Sequence, residues 1–342
     1  MSESTELIVQ DVSPRAPEWS AFVEDHPNTT VFHTEGWARA IEAAFGYEPR
    51  YTLLTDRSGE IRAAIPGFAV REGLGTSVLN PFCEYGFPLT SEKTSDKVVL
   101  SALRNSETRI VKDAGWSGVS GYNAAGYGGV STGSAIRLSL DRPFEVLWES
   151  TFAKDIRRCV RTARDDGVSV TDGTLAEFYP LYLETMRRLG SPQFPKAFFA
   201  TLIETLGDSV AVLLAEYDGE PIAGVFLFEW GDTTMVWTPA SKRAHWEHRP
   251  NHVLYVEAIE RACAAGRTVV DFGRSRRDSS VHGFKAQFGG FEYPLVSFVT
   301  PPHHAGRASL DGYGRLSAIT PRLAPLITHP TVGPKLKGFI HE

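Results

Sequence analysis

One segment near the end of the predicted sheet reads Thr268-Val269-Val270-Asp271-Phe272-Gly273-Arg274-Ser275, followed after a short loop by His282-Gly283-Phe284-Lys285-Ala286-Gln287-Phe288-Gly289. The β-branched and aromatic run predicts a strand that ends at Phe272. Gly273 permits a tight turn, which we expect to expose Arg274 and Ser275. Lys285 falls on a short helix with apolar anchors on either side. Arg274 and Lys285 are therefore the leading candidates for site residues.

The triplet Asp271-Phe272-Gly273 also occurs in protein kinases, but that interpretation is rejected. The chain has neither a Gly-rich phosphate loop nor a His-Arg-Asp catalytic loop. A purely structural role stays open, in which Arg274 forms an ion pair with a carboxylate such as Asp271.

The segments before this one alternate between helical and strand patterns. Apolar spacing and turn residues predict a hairpin and a third strand between two groups of helices. This order indicates a mixed α/β layer, and excludes a TIM barrel and a doubly wound sheet. The predicted helices are Glu149–Asp165, Leu175–Leu189, Pro195–Leu206 and Asn251–Ala265, and the predicted strands are Val210–Tyr217, Pro221–Glu229 and Thr233–Thr238.

The first half has a related layout. A helix begins near Thr34 and ends at Gly46, and it is followed by strands over Tyr51–Thr55 and Ile61–Val70. The Gly-rich run Gly121–Gly133 is expected to be a loop. A length of 342 residues suits two domains. We expect an N-terminal domain over 1–145, a C-terminal domain over 146–300 and a peripheral tail over 301–342.

Composition narrows the class of protein. With 42% hydrophobic and 22% charged residues, the chain is a folded globular protein. The net charge of -6 argues against general RNA binding, so any phosphate contact must come from a local patch. Three scattered cysteines fit a reducing compartment. Since we find no secretory signal and no apolar run of about 18 residues, we expect a cytoplasmic protein without a transmembrane segment.

Five motifs in this order resemble the FemAB-like branch of the GNAT superfamily. The resemblance covers roughly residues 18 to 298 and includes the type associated with exosortase systems. It implies an α/β (α+β) fold of two tandem GNAT-like domains, each a mixed, mostly antiparallel sheet flanked by helices, around a shared cleft. The motifs are His33–Trp37 with Phe45–Tyr47, the basic helix from Lys154 to Gly167, Met186–Pro192, the hairpin Tyr217–Gly224, and Asp271–Ser275 with His282–Gly289.

The resemblance implies transfer of an acyl group from a thioester, or of an amino acid from charged tRNA, onto an amine. One departure concerns the donor. GNAT enzymes that use acyl-CoA usually carry a Gly-rich pyrophosphate loop, whereas this chain has Ser241–Asn251 there, without glycine. Both acyl-CoA and aminoacyl-tRNA remain candidate donor substrates, and no metal cofactor is expected.

Five cations are spaced to lie on one side of a helix, at roughly 100° per residue. They could bind phosphates of tRNA, of a nucleotide-linked precursor or of a diphospholipid head group. The alternative is a solvated face neutralised by Asp155, Asp165 and Asp166. We name this set the basic face; it consists of Lys154, Arg157, Arg158, Arg161 and Arg164.

Acyl transfer to an amine needs a base and a group that stabilises the oxyanion. A backbone N–H on the strand Thr233–Ala240, where Pro239 is expected to break regular pairing, could serve the oxyanion, as in GNAT folds. The base could be His252, His282 or a carboxylate such as Glu229. Without a nucleophilic triad in context, we favour direct attack by the amine.

The candidate catalytic residues are thus Lys285, Arg274 and His252. Besides the basic face, the candidate substrate-binding residues are Ser275, Asn251 and Tyr85, where Tyr85 represents loop aromatics that could line an acceptor cleft or plug the groove between domains. A metal site at His245, His248 and His252 is disfavoured, because Pro250 interrupts the helix. His33 is interpreted as a helix-cap or packing residue.

The sequence therefore predicts an enzyme that acylates an amine of a small or cell-envelope-precursor acceptor. The expected partner is a small-molecule or nucleotide- or lipid-linked acceptor, with tRNA as a candidate second partner and no DNA. The alternative is a non-catalytic GNAT-like protein that binds an envelope precursor or glycan.

Overall fold

The computed structural model describes residues 6–72, 75–104, 107–113, 119–304 and 327–340. The helices are α1 Pro17–Asp25, α2 Glu35–Phe45, α3 Asp96–Leu103, α4 Val119–Ala124, α5 Phe144–Val146, α6 Lys154–Asp165, α7 Leu175–Leu189, α8 Lys196–Leu206, α9 Pro250–Ala264, α10 Ser280–Ala286 and α11 Gly333–Ile340. No helix in these ranges is long and apolar enough to cross a membrane.

The strands alternate with these helices along the whole chain. They are β1 Ile8–Val12, β2 Glu48–Pro49, β3 Tyr51–Thr55, β4 Ile61–Ile65, β5 Phe68–Glu72, β6 Gly75–Leu79, β7 Leu89–Thr90, β8 Thr108–Asp113, β9 Gly128–Ser139, β10 Ser169–Asp172, β11 Val210–Tyr217, β12 Glu220–Trp230, β13 Thr233–Ser241, β14 Val269–Ser275 and β15 Phe291–Thr300.

The described residues divide into two compact units. The first holds the residues up to Gly133 and those from Pro294 to 304; the second holds Ser134–Tyr293 and 327–340. The functional domain boundaries near 145 and 300 stay a prediction. The mixed α/β class predicted from the sequence is confirmed.

The first unit contains a four-stranded antiparallel sheet in the order β1-β3-β4-β7. A second run pairs β15, β8, β6, β5 and β2, with β6 and β8 parallel. The strand predicted over Ile61–Val70 is wrong, because β4 and β5 belong to these two different sheets. Pro66 and Gly67 separate them, and a Cβ on Gly67 would lie 2.6 Å from Val78 Cγ1.

The loop predicted over Gly121–Gly133 is also wrong, since it contains part of α4 and the start of β9. Burial of its aromatic side chains outweighs the loop preference of its glycines. The Tyr122 ring stacks on Phe298 at 3.9 Å. Gly129 allows this approach, because a Cβ there would lie 3.2 Å from the same phenylalanine.

His33 has the structural role that the sequence predicted. It is fully buried, its Nδ1 accepts from the Thr30 backbone N–H at 3.2 Å, and its Nε2 lies 3.0 Å from the Phe87 carbonyl oxygen. Burial lowers the pKa of His33 to about 4, against smaller opposing effects of these hydrogen bonds. The imidazole is therefore neutral in the folded protein at neutral pH.

We expect His33 to make the protein sensitive to acid. Between pH 6.5 and 4 the unfolded chain binds a proton that the folded chain refuses, so the free energy of unfolding falls as the pH is lowered. The shift corresponds to about 3 kcal/mol, of which about 2 kcal/mol is lost by pH 5.0. Urea unfolding at pH 7.5 and 5.0 measures this loss. In His33→Asn the loss between the two pH values should shrink, and an unchanged loss would contradict the assignment.

The second unit pairs β10-β11-β12-β13-β14-β9, and each neighbouring pair is antiparallel except β13 and β14. One face carries α7 and α8 with many aromatic rings. The other carries α6 and α9, and its core includes Ile156, Val160 and Tyr255. Both faces are covered, so substrate access has to come at the ends of strands.

The helix predicted over Glu149–Asp165 is broken in the structure. A π-helical turn over Leu147–Thr151 leads into an extended Phe152, and α6 begins only at Lys154. Phe152 is buried against Phe288 with ring centroids 5.6 Å apart, and the Ala153 N–H donates to the Gln287 carbonyl at 2.8 Å. These distant contacts outweigh local helix propensity.

The segment assigned to a peripheral tail is described only in part. Residues 305–326 lie outside the described ranges. Residues 327–340 include α11, and the Gln193 side-chain amide donates to the carbonyl oxygen of Thr328 at 3.1 Å.

Candidate active site

The central strands of the second unit separate from one another. β13 and β14 pair over three residues only, ending at Met235 and Asp271. β13 nevertheless stays paired with β12 up to Ser241, and β14 stays paired with β9 up to Ser275. β13 therefore stays with β12 and β14 stays with β9, while β13 and β14 separate from each other. Backbone N–H and C=O groups on their facing edges do not bond across the gap between these two strands.

A bulge lies in β13 on the side that pairs with β12, just beyond the point where β14 separates. Leu227 pairs with Val236 and Phe226 pairs with Thr238, so Trp237 is the extra residue. The prediction that Pro239 breaks the pairing is wrong, because Pro239 sits in register opposite Val225. A proline fits there because it needs no donor of its own.

A second bulge lies on β14 and positions Arg274 and Ser275. Asp271 pairs with Arg137 and Arg274 pairs with Ala135, so two residues on β14 oppose one on β9. Gly273 takes φ +65, as its predicted turn requires. Exposure of Ser275 was wrongly predicted, because it is only 6% exposed, whereas Arg274 is partly exposed.

The carboxylate of Asp271 is the partner of Arg137 and of the turn itself. It is 1% exposed, and its Oδ2 lies 3.3 Å from Arg137 Nε. Its Oδ1 accepts from the Gly273 N–H at 2.7 Å. Arg137 thus forms an ion pair with the carboxylate that was considered as a partner of Arg274. A single buried carboxylate fixes both the bulge and the neighbouring strand.

Lys285 lies on α10, which packs directly against the end of β14. It is 5% exposed, and its ammonium donates to the carbonyl oxygens of Gly273 at 3.1 Å and Arg274 at 2.9 Å. The predicted anchors are in place, with Phe288 fully buried and Phe284 packed on the same core. Lys285 therefore ties α10 to the β14 turn.

His252 lies in the first turn of α9 and faces α10, with its ring 5.0 Å from that of Phe284. Burial, together with the charge of Arg249, lowers the pKa of His252 to about 4. Among the described residues its Nδ1 has no hydrogen-bond partner. His252 is neutral at physiological pH, but it is a weak proton acceptor.

His282 is on the same short helix and lies within a polar cluster. Its Nδ1 is 3.3 Å from Ser134 Oγ and 3.4 Å from Ser275 Oγ, and its Nε2 is 3.5 Å from Glu292 Oε2. Sequence reasoning missed Ser134 and Glu292, because only strand pairing brings β9 and β15 residues to this helix. The remaining candidate base, Glu229, is paired with Arg267 at 3.2 Å.

The glycine-free segment Ser241–Asn251 folds into a 3-10 helix over Arg243–His248 and then enters α9 at Pro250. Arg249 takes φ +55 at the junction. The Ser241 hydroxyl accepts from the Trp246 indole at 2.9 Å and from the Asn251 amide at 3.3 Å. The place of a glycine loop is thus filled by a rigid, internally bonded turn.

Several cations surround this turn. The guanidinium of Arg188 lies 4.7 Å from the Trp246 ring and that of Arg243 lies 5.8 Å from it. His248 Nδ1 contacts Asp166 Oδ2 at 2.9 Å, which joins the turn to the end of α6.

Two of the five cations of the basic face on α6 have partners, and three do not pair with any described residue. Arg157 points inward and donates to the carbonyls of Trp148 and Glu149, and Arg158 pairs with Asp155 at 3.0 Å. The other three members are exposed and form no ion pair with any residue that the structure describes; they are Lys154, Arg161 and Arg164. The neutralised-face alternative therefore accounts for part of the set only.

Two sequence candidates lie apart from this cluster. Tyr85 belongs to the first unit and is 2% exposed, with its ring 6.2 Å from that of Phe32. His245 and His248 precede Pro250, which begins α9. Within the described ranges, no group of three or more His, Cys, Asp or Glu residues is arranged to hold a metal ion.

The structure brings four of the candidates together around α10. Arg274, Ser275 and Lys285 are joined through β14, and His252 approaches from α9, whereas Asn251 donates to Ser241. A strand pair that diverges beside a helix N-terminus, with histidines on the neighbouring helices, can hold an acyl donor and accept a proton from a nucleophile.

Comparison with known proteins agrees with this geometry. Residues 150–286 match the acetyltransferase (GNAT) domain family. The search of curated proteins gives no match. Among solved structures, FemX has a TM-score of 0.65 at 16% identity, covering 86% of this chain and 98% of that one.

Two further structures share the fold. The C-terminal domain of a putative lysylphosphatidylglycerol synthetase from Agrobacterium fabrum has a TM-score of 0.56 at 14% identity, covering 82% of this chain and 91% of that one. A tandem GNAT protein from the clavulanic acid biosynthesis pathway, solved without AcCoA, has a TM-score of 0.53 at 12% identity, covering 86% and 98%.

Residues 150–286 therefore carry a GNAT acetyltransferase domain, and the chain shares the fold of FemX and of the tandem GNAT protein, as its motifs predicted.

Proposed function

We propose that this enzyme transfers an aminoacyl group from aminoacyl-tRNA to an amine of a cell-envelope precursor, by direct attack of the amine on the donor carbonyl. The observation that carries the proposal is the set of exposed, unneutralised cations on α6. A polyanionic donor relieves their mutual repulsion and binds through released counterions.

The position of these cations supports a donor that is larger than a coenzyme. The contact between Asp166 and His248 places the end of α6 beside the turn that carries Arg243 and Arg249. Cations on both elements can therefore follow one phosphate backbone, while Trp246, 38% exposed, offers a ring for stacking. Acyl-CoA, the other candidate donor, would meet the internally bonded turn at 241–251 instead of a glycine loop.

The roles follow from the elements that hold each residue. Backbone N–H groups on β13 after Met235 would bind the oxyanion of the tetrahedral intermediate. Arg274 and Asn251 would contact the donor, and Ser275 the reacting amine. Lys285 acts as a positioning residue through the carbonyls of the β14 turn, and His252 borders the site as a neutral side chain.

The acceptor class is proposed from the similar structures. One of them is named a lysylphosphatidylglycerol synthetase, a name that describes an aminoacylated lipid. An amine-bearing, lipid- or nucleotide-linked precursor fits the same chemistry, because only the nucleophile changes. Tyr85 belongs to this acceptor proposal, although its ring is buried in the first unit.

The test compares donors and salt dependence. Purified enzyme is given a mixture of aminoacyl-tRNAs or acetyl-CoA, with amine acceptors, and product is followed by mass spectrometry. The triple variant Lys154→Gln/Arg161→Gln/Arg164→Gln should weaken tRNA binding and reduce the slope of log K against log salt by about 2 to 3.

A matched control removes the same charge elsewhere. Arg57, Lys93 and Lys97 are exposed cations of the first unit, and their triple change to glutamine should leave the salt slope as in the wild type. Transfer from acetyl-CoA alone, with a triple variant on α6 that behaves like this control, would overturn the proposed donor.

A further inference from the structure

A polar cluster in the second unit has the arrangement of a proton relay. Ser134 and Ser275 are directly opposite each other in the β9–β14 pair. Their side chains therefore leave the sheet on the same face, where α10 carries His282. This pairing explains why two hydroxyl groups reach one ring nitrogen, at 3.3 Å and 3.4 Å.

The charge state of Glu292 sets the tautomer of the ring. Burial raises the pKa of Glu292, but hydrogen bonds from Arg277 and Ser134 and the nearby positive charges outweigh it and lower the pKa. The Arg277 guanidinium donates to Oε1 at 2.6 Å. An anionic carboxylate facing Nε2 favours the neutral tautomer with its proton on Nε2.

This tautomer leaves the Nδ1 lone pair for a serine hydroxyl. The Ser134 hydroxyl donates its proton to Glu292, so Ser275 is the hydroxyl that can donate to Nδ1. The distance of 3.4 Å is long for such a bond, as is common before substrate tightens a site. The order of donors is then Ser275 to His282 to Glu292.

We propose that Ser275 and His282 form the proton relay for the attacking amine, and that Glu292 and Arg277 hold the relay in its working tautomer. This inference rests on the proposed function. Ser275 ends β14, beyond the point where β13 has separated from it, so its hydroxyl borders the place proposed for the donor carbonyl.

The step balances without a covalent enzyme intermediate. The amine nitrogen forms a bond to the donor carbonyl carbon, and its proton passes to Ser275 Oγ as the proton of Ser275 passes to His282 Nδ1. When the carbon–oxygen bond of the donor ester breaks, His282 returns this proton to the leaving oxygen. The products are an amide and a free hydroxyl.

The proposed relay assigns the role of base to His282, one of the three candidates His252, His282 and Glu229. Among the described residues, no carboxylate pairs with His252 to stabilise an imidazolium, and its ring packs against that of Phe284. Glu229 is engaged with Arg267 on a different strand. His282 alone among the three lies between a hydroxyl and a carboxylate.

Variants test the relay. Ser275→Ala and His282→Asn should lower kcat by about 10²- to 10⁴-fold, with KM changed little. Glu292→Gln should have a smaller effect, because its amide oxygen can still accept from Nε2. Ser134→Ala, the matched serine on β9, should cost less than tenfold. Equal losses in the two serine variants would overturn the assignment of Ser275.

The pH profile separates a base from a packing residue. The charged groups that face His282 are Glu292 and Arg277, and Lys285 shares its helix. The acidic limb of kcat/KM should therefore persist in Glu292→Gln and Arg277→Gln, and disappear in His282→Asn. A limb that survives in His282→Asn would overturn the relay.

Two measurements distinguish this failure from failure of the proposed function. If the wild type transfers no acyl group to any amine, the proposed function fails. Nitrogen-15 NMR of the histidine ring still decides the relay, because it requires a proton on Nε2 and none on Nδ1 in the neutral form. Mass spectrometry that finds an acyl group covalently held on Ser275 would also overturn it.

Discussion

Lys285→Met should lower kcat by about 100-fold while leaving most of the protein folded. The ammonium of Lys285 holds the carbonyls of Gly273 and Arg274. Without it the β14 turn is free to shift, and a displacement of about 1 Å at a reacting group costs this much. Methionine keeps the apolar length of the side chain, so the core around α10 stays filled.

Lys285→Arg is the control for this positioning role. A guanidinium can still donate to both carbonyls, so we expect it to recover a measurable part of the rate. Loss of two charge-assisted hydrogen bonds should also reduce the free energy of unfolding by about 1.5 to 3 kcal/mol in the methionine variant. Steady-state kinetics and urea unfolding give both quantities. A methionine variant with wild-type kcat would show that the turn needs no such support.

The elements with strong local patterns were predictable from the sequence. In α6, Ile156, Val160 and Ala163 recur at helical spacing, and all three are buried. Thr34 caps α2 by accepting from the Trp37 N–H at 3.2 Å, and Gly46 ends that helix at φ +67. In each case the deciding contacts lie within a few residues along the chain.

The errors arose where distant residues decide the structure. The break before α6 depends on Phe152 meeting Phe288, and the short strands β4 and β5 part because they join different sheets. Local propensity carries no information on either contact.

The candidate site was only partly predictable, because some of its residues meet through distant contacts. Arg274, Ser275 and Lys285 are close in sequence and were found together. Ser134 lies 148 residues before His282, whereas Glu292 follows on the next strand, β15, and nothing in their own neighbourhoods marks them. Their place beside His282 follows from strand register, which a single sequence does not reveal.

Arg137→Met should reduce the free energy of unfolding by about 3 to 5 kcal/mol, the cost of leaving a buried charge without its partner. Asp271 is 1% exposed and the Arg137 side chain is 21% exposed. Arg137 Nε lies 3.3 Å from Asp271 Oδ2. Asp271→Asn should cost less than Arg137→Met. The amide can still accept from the Gly273 N–H, which preserves the turn that the carboxylate now holds.

The double variant Arg137→Met/Asp271→Asn is the decisive comparison, because it removes both charges at once. If the ion pair couples the two residues, the free energy of unfolding lost in the double variant should be smaller than the sum of the two single losses, by about 1 kcal/mol or more. Activity should follow the turn and not the charge, so it should survive best in Asp271→Asn. Strictly additive losses would mean that each residue is held by its other contacts, and that the β14 bulge does not depend on this pair.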